Sequence, residues 1–223
     1  MRVAVISANL GSYDPPAEWP ELRAPAGVTV DVHRFTDENF PPRPLAMTSR
    51  LQCGIPKWFG WQMVPGYDVY VWIDASCVPT PDAVPWFLGE LGWAEIAVFK
   101  HPDRGTIREE YEFIKARLGK PGEKYLTSRY RGEWLDEQYQ HVASDETYAD
   151  DRLYASTAFV YTDTPGVRDA FTDVWMGKTR WLLHDQLILP YALDTAGCEV
   201  NVIEDNYLKC PALTYVRNKR RAA

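Results

Sequence analysis

The residues able to do chemistry fall in four short runs. Asp74-Ala75-Ser76 follows an apolar run at 67–73, and His101-Pro102-Asp103-Arg104 follows another at 95–100. Glu109 and Glu110 stand a few residues further on, and His184-Asp185-Gln186 lies between Trp181-Leu182-Leu183 and Leu187-Ile188-Leu189. A carboxylate fixed at the end of a buried strand is well placed to hold a divalent cation. Arg104 and Lys57 suit a diphosphate, the guanidinium through a two-pronged contact. A polar triplet between apolar walls must be hydrogen-bonded or face a cleft. Each residue also has a plain structural use. Asp74 can close a turn before Pro79, Arg104 can pair on the surface, and Asp185 can cap a helix. Glu109 and Glu110 can favour the dipole of a helix whose apolar seam is Ile107, Tyr111, Ile114 and Leu118. On that helix Glu110 flanks the seam and Glu109 lies nearly opposite. One of the two would then hold Arg104 or an acceptor hydroxyl.

These residues need a frame. Apolar or alternating runs predict strands at 2–8, 28–35, 67–73, 95–100, 154–161 and 198–204. Helices are expected at 48–63, capped by Thr48 or Ser49 and bent at Pro56, and at 81–91, opened by Pro81. Further helices are expected at 105–118, at 164–176 with Gly177 as C-cap, and at 185–196, bent at Pro190 and ended by Gly197. Residues 119–152 read as helices and loops of the same domain. Strand and helix alternating at this spacing argue for an α/β sandwich with a mainly parallel sheet. In such sheets ligands bind at the carboxyl ends of strands. The ends of three strands, including Ser7-Ala8-Asn9-Leu10-Gly11, would then share one rim.

Composition narrows the field. The chain has 223 residues, 46% hydrophobic and 25% charged, with a net charge of −7. That suits one globular domain at 1–210 with a basic tail at 211–223. An acidic chain is a poor sequence-independent binder of nucleic acid. No run approaches the length of a membrane span, and residues 1–7 read as a first buried strand rather than a signal peptide. Cys53, Cys77, Cys198 and Cys210 are far apart and form no CxxC pair, which points to free thiols and a cytoplasmic setting. Glycine-rich dinucleotide and triphosphate loops, the Gly-x-Ser-x-Gly elbow and His-Glu-x-x-His are all absent.

Taken in order, four segments resemble a glycosyltransferase-like family formerly catalogued as a domain of unknown function, with plant wall and mucilage members and bacterial relatives. They are Arg50 to Lys57, residues 67–76 ending Trp72-Ile73-Asp74-Ala75-Ser76, residues 101–110 from His101-Pro102-Asp103-Arg104 to Glu109-Glu110, and residues 185–193 from Asp185-Gln186. The resemblance covers residues 1 to about 195. It implies a GT-A-like three-layer α/β/α sandwich with a mixed, mainly parallel sheet. It also implies a nucleotide-diphosphate-sugar donor, a divalent cation (Mn²⁺ or Mg²⁺), and a glycan, protein or small-molecule acceptor. In a working picture built on it, the nucleotide lies over Ser7, Asn9, Gly11 and Tyr13 at the end of the first strand, with Arg50 and Lys57 on the diphosphate. Asp74 would orient the ribose or, with Ser76, face the metal; Asp185 would face the anomeric carbon or a sugar hydroxyl, and Gln186 the sugar. His101 and Arg104, held by Glu109 or Glu110, would complete the rim.

Two departures from the pattern stand out. Ser76 occupies the second acidic position of the usual Asp-x-Asp, and no histidine follows His184, so a further ligand would be His184 itself or a side chain such as Asn206. The course stays open between inversion, which needs a base on the acceptor, and retention. The alternative is a catalytically degraded module that binds sugar nucleotides or a partner. A nucleotidyltransferase is a third reading, which the missing triphosphate loop disfavours.

Overall fold

A computed structural model describes residues 1–12 and 14–216. Among them are eight strands: β1 (Arg2–Asn9), β2 (Thr29–Thr36), β3 (Val69–Ile73), β4 (Cys77–Pro79), β5 (Ile96–Lys100), β6 (Tyr154–Thr162), β7 (Val200–Ile203) and β8 (Leu213–Tyr215). Six form one sheet in the order β2-β1-β3-β6-β5-β7. Strand β1 pairs in parallel with β2 and β3, and β7 in parallel with β5, while β6 runs antiparallel between β3 and β5. The carboxyl ends of β1, β3 and β5 and the amino end of β6 therefore meet on one rim.

Both faces of the sheet are covered, which is why its central strands are apolar on both sides. Ala4, Ile6, Tyr70, Trp72, Val98 and Phe159 face one core, and Val3, Val5, Val71, Ala97 and Val160 face the other. The first face is covered by α2 (Gly54–Trp58), α5 (Ile107–Arg117), α6 (Lys124–Tyr130), α7 (Leu135–Ala143), α8 (Pro165–Arg180) and α9 (Leu189–Thr195). The second is covered by α4 (Ala83–Leu91), the two-stranded β4–β8 ribbon and side chains such as Trp19 and Leu22. Short α1 (Ser49–Gln52) and α3 (Gly60–Met63) flank α2. The result is the expected three-layer α/β/α sandwich with a mixed, mainly parallel sheet.

Several element boundaries depart from the sequence pattern. The single helix expected at 48–63 is three short ones, broken at Cys53 and Phe59 rather than at Pro56. Thr48 does cap the first, accepting from the Leu51 N–H. Pro56 sits in the first turn of α2, where no intrahelical N–H is needed, so it bends nothing. The breaks let Gly54 and Gly60 lie against Trp175 and Ile6: a Cβ on Gly60 would stand 2.6 Å from Ile6 Cδ1. Helix α4 begins at Ala83, two residues after Pro81.

Gly177 does not end its helix. Helix α8 runs on to Arg180, and Gly177 is buried inside it, where a Cβ would lie 3.1 Å from Ile188 Cγ1. The helix expected at 185–196 is a 3-10 turn over Asp185–Leu187 followed by α9, with the break at Ile188. The boundary at 210 also moves. Residues 213–215 pair with β4, and Ala212 and Leu213 are buried against the second face, so this stretch belongs to the domain. The basic residues 217–223 lie outside the described residues. No helix among those described is long and apolar enough to cross a membrane.

Candidate active site

The shared rim opens into a cavity of about 610 Å³. Its floor is a cluster of four charged side chains drawn from four elements. Lys57, on α2, is fixed by its neighbour Trp58, which stacks on Phe159 at 5.4 Å between ring centres. The Lys57 ammonium stands 2.8 Å from Asp185 Oδ2 and 3.5 Å from Asp74 Oδ1, and donates to Ser156 Oγ at 3.2 Å. Lys178, on the inner face of α8, approaches the other Asp185 oxygen at 2.6 Å and donates to the Leu183 carbonyl at 3.3 Å. Ser156, at the start of β6, donates to Asp185 Oδ2 at 3.1 Å. Asp74, just past β3, accepts from the Trp72 indole N–H at 2.7 Å through the same Oδ1 that faces Lys57.

The electrostatics of this cluster are unequal. Burial pushes the Asp185 carboxyl up, but Lys178 and Lys57 overcome it and hold it well below 3.8. Burial alone would lower the Lys57 ammonium; the Asp185 and Asp74 charges outweigh it and raise it. Lys178 goes the other way, lowered by burial and by the charges of Lys57 and Arg50, with Asp185 opposing. Lys57 touches two carboxylates and Lys178 only one, which accounts for the difference.

A second network forms one wall. Arg50, on α1, donates to the Tyr130 hydroxyl at 3.1 Å, and that hydroxyl meets His184 Nδ1 at 2.8 Å. His184 Nε2 meets Glu110 Oε1 at 2.7 Å, and Arg104 donates through Nε to Glu110 Oε2. A carboxylate can only accept, so His184 donates to Glu110 from Nε2. Glu110 is placed by the capped start of α5: Thr106 accepts from the Glu109 N–H, and Asp150 accepts from the Ile107 and Arg108 N–H groups at 2.7 and 2.9 Å. Burial raises the Glu110 carboxyl, but His184 and Arg104 bring it down to about 2. His101 Nδ1 accepts from the Asp103 and Arg104 backbone N–H groups. Burial and the nearby Arg104 charge lower its pKa, so the ring is neutral near pH 7. Beyond Arg104, the Phe113 ring lies between the Arg104 and Arg117 guanidiniums, at 4.0 and 4.2 Å.

Asn9, Arg50, Lys57, Asp74, Ser76, His101, Arg104, Glu110, Asp185 and Gln186 all line this one cavity. Three other expected residues do not. Ser7 is buried within β1. Gly11 turns away at φ +67°, its N–H donating to the Asp37 carboxylate at 2.8 Å. Glu109 is exposed and accepts from the Gly105 N–H, completing the cap of α5. Tyr13 lies outside the described residues. The pairing of Arg104 with a glutamate falls to Glu110 alone. Asp185 does not cap a helix; both of its oxygens serve the two lysines.

Sequence reasoning missed Lys178, Ser156 and Tyr130. Lys178 had a signal: it continues the buried stripe Val167, Ala170, Phe171, Val174 of α8, where a charge needs a partner. Ser156 is a buried polar residue in a strand buried along most of its length. Tyr130 had no comparable signal.

The donor set does not fit the implied divalent cation. Oxygen-loving cations take several carboxylate, carbonyl or water ligands. Among the described residues no group of three His, Cys, Asp or Glu could hold a metal. One Asp74 oxygen serves Trp72 and Lys57, both Asp185 oxygens serve lysines, and both His184 nitrogens are engaged. Asn206 is not among the lining residues, and its side-chain oxygen accepts from the Leu208 N–H.

No family model and no curated protein matches this chain. Solved structures do. The bifunctional glycosyltransferase WbbM, in its apo form, is 14% identical with a TM-score of 0.48, over 92% of this chain and 39% of that one. Apo mouse xyloside xylosyltransferase 1 is 8% identical with a TM-score of 0.48, over 91% and 85% of the two chains. A glycosyltransferase involved in glycosylation of the major capsid of PBCV-1 is 8% identical with a TM-score of 0.43, over 91% and 81%. The chain thus spans about two fifths of the first of these proteins.

Proposed function

We propose that the chain transfers a sugar from a nucleoside-diphosphate donor to an acceptor hydroxyl in the cavity at the strand rim. The observation that carries this reading is the convergence of Arg50, Lys57, Arg104 and Lys178 on one cavity above the ends of β1, β3 and β5. Fixed cations in a partly desolvated cleft stabilise the charge that develops on a departing diphosphate. Guanidinium and ammonium groups together suit phosphate oxygens. A volume of about 610 Å³ falls in the ordinary range of small-ligand sites. Gln186, which lines the cavity beside Asp185, would hydrogen-bond a sugar hydroxyl.

In the transfer the bond from the anomeric carbon to the phosphate oxygen breaks, and its electron pair stays on that oxygen. The acceptor hydroxyl oxygen bonds to the anomeric carbon. Asp185 and Glu110 are weak bases, because the neighbouring cations lower the proton affinity of both carboxylates. In the retaining course that this reading favours, the acceptor proton passes to the departing phosphate oxygen on the same face.

A second reading, donor binding without transfer, draws on Ser76 in the position of a second acid. One experiment separates them: a screen of common nucleotide sugars for binding, donor hydrolysis and transfer to simple glycosides, with product configuration read by proton NMR. Turnover with a retained anomeric centre is expected. An inverted product would remove the proton route, binding alone would favour the second reading, and no donor binding would remove both.

A further inference from the structure

Resting on that reading, we propose that the Lys57 ammonium takes the place of a divalent cation, so that this cavity grips the donor diphosphate and releases it without a metal.

The geometry is specific. In a metal-assisted site two acids converge on one cation. Here the acids past β3 and before α9, Asp74 and Asp185, do converge, but on an ammonium at 3.5 and 2.8 Å. That ammonium is not a loose surface group. Its side chain is 9% exposed, and Ser156 and the faces of Trp58 and Trp72 fix its position. A divalent cation drawn to Asp74 would sit against the Lys57 charge in a partly desolvated setting, where like charges repel strongly. The one Asp74 oxygen not shown in a contact cannot by itself replace a chelate.

The charge balance points the same way. Lys57, Lys178, Asp74 and Asp185 sum to zero, so the floor needs no added cation to be neutral. Arg50, close enough for its charge to reach Lys178, adds one positive charge on the open side. The floor together with Arg50 thus carries one net positive charge, while over the whole lining six basic and six acidic side chains balance. Lys178 acts through Asp185: it holds one oxygen at 2.6 Å, leaving the other to orient Lys57. Lys178 is therefore a positioning residue; Arg50 would touch phosphate, and Lys57 would do so by exchanging its longest contact, the 3.5 Å one to Asp74, for a phosphate oxygen.

The test is calorimetric titration of the whole protein with UDP, GDP, ADP, CDP and inorganic pyrophosphate, once in EDTA and once in excess Mn²⁺ or Mg²⁺. At least one nucleoside diphosphate should bind in EDTA within about threefold of its affinity with metal, a difference below 1 kcal/mol. Lys57→Met, shown to be folded by circular dichroism, should bind that diphosphate at least roughly tenfold more weakly in EDTA. Binding at least tenfold tighter with metal, or undiminished in the folded Lys57→Met protein, overturns the inference and leaves the glycosyl-transfer reading standing. Absence of binding under both conditions overturns that reading too. The wild-type comparison decides the matter by itself if Lys57→Met does not fold.

Discussion

Glu110 shows how a single carboxylate can be both buried and ionised. Its side chain is 4% exposed, yet His184 and Arg104 bring its pKa from 4.5 to about 2. Because the folded value lies below the unfolded one, the stabilisation is fully present above about pH 4.5 and disappears as pH falls towards 2. The size is about 3 kcal/mol. Urea denaturation followed from pH 6 down to pH 2.5 should show that loss, and Glu110→Gln should flatten it across the same window. An unchanged slope would mean that the network does not hold the carboxylate. At this scale the sequence exposed polar groups by their neighbours. His184-Asp185-Gln186 was visible because apolar residues wall it on both sides, and Glu110 because it flanks an apolar seam. What each would bind was not visible. The partners of Asp185 lie on α2 and α8, far off along the chain, and only the packing of those helices brings Lys57 and Lys178 together.

Helix α8 shows the same limit for an element. Its start was legible in Thr164-Pro165, and Thr164 caps it by accepting from the Val167 N–H. Its end was not, because Gly177 has the residue type of a C-cap but serves close packing on Ile188 and Gln138. Gly177→Ala tests which role wins. In an exposed helix the change would stabilise by about 1 kcal/mol. Here the new methyl would press on Ile188 at 3.1 Å and Gln138 Oε1 at 3.2 Å, so overpacking of about 1–3 kcal/mol should dominate. A lower melting temperature is the expected outcome, and a higher one would show that the neighbours yield. The direction of β6 was equally hidden. Its apolar run Tyr154–Thr162 reads the same either way, yet the antiparallel setting is what carries Ser156 to the rim.

Across the whole molecule, the alternation of strands and helices sufficed for the layered class and for the rim at which to look. Ten expected residues share one cavity because the end of β1, the loops after β3 and β5, the helices α1, α2 and α5 and the 3-10 turn at Asp185 meet at the same edge. The exceptions, Ser7, Gly11 and Glu109, are explained by local geometry: a strand interior, a left-handed turn and a helix cap. The short strands β4 and β8 went unread, since three residues each carry too little pattern to separate strand from loop.

That ribbon fastens a distant part of the chain beneath the Asp74 turn. The Val216 N–H donates to the Ser76 carbonyl and the Thr80 N–H to the Ala212 carbonyl, while Cys77, paired with Tyr215, is fully shielded. A chain cut after Pro211 would keep every charged side chain of the cavity floor yet lose this cover. The Cys77 sulfur then becomes a reporter. Alkylation by iodoacetamide, mapped by mass spectrometry, should spare Cys77 in the intact protein and mark it quickly in the shortened one; equal labelling would mean that the strap contributes no protection.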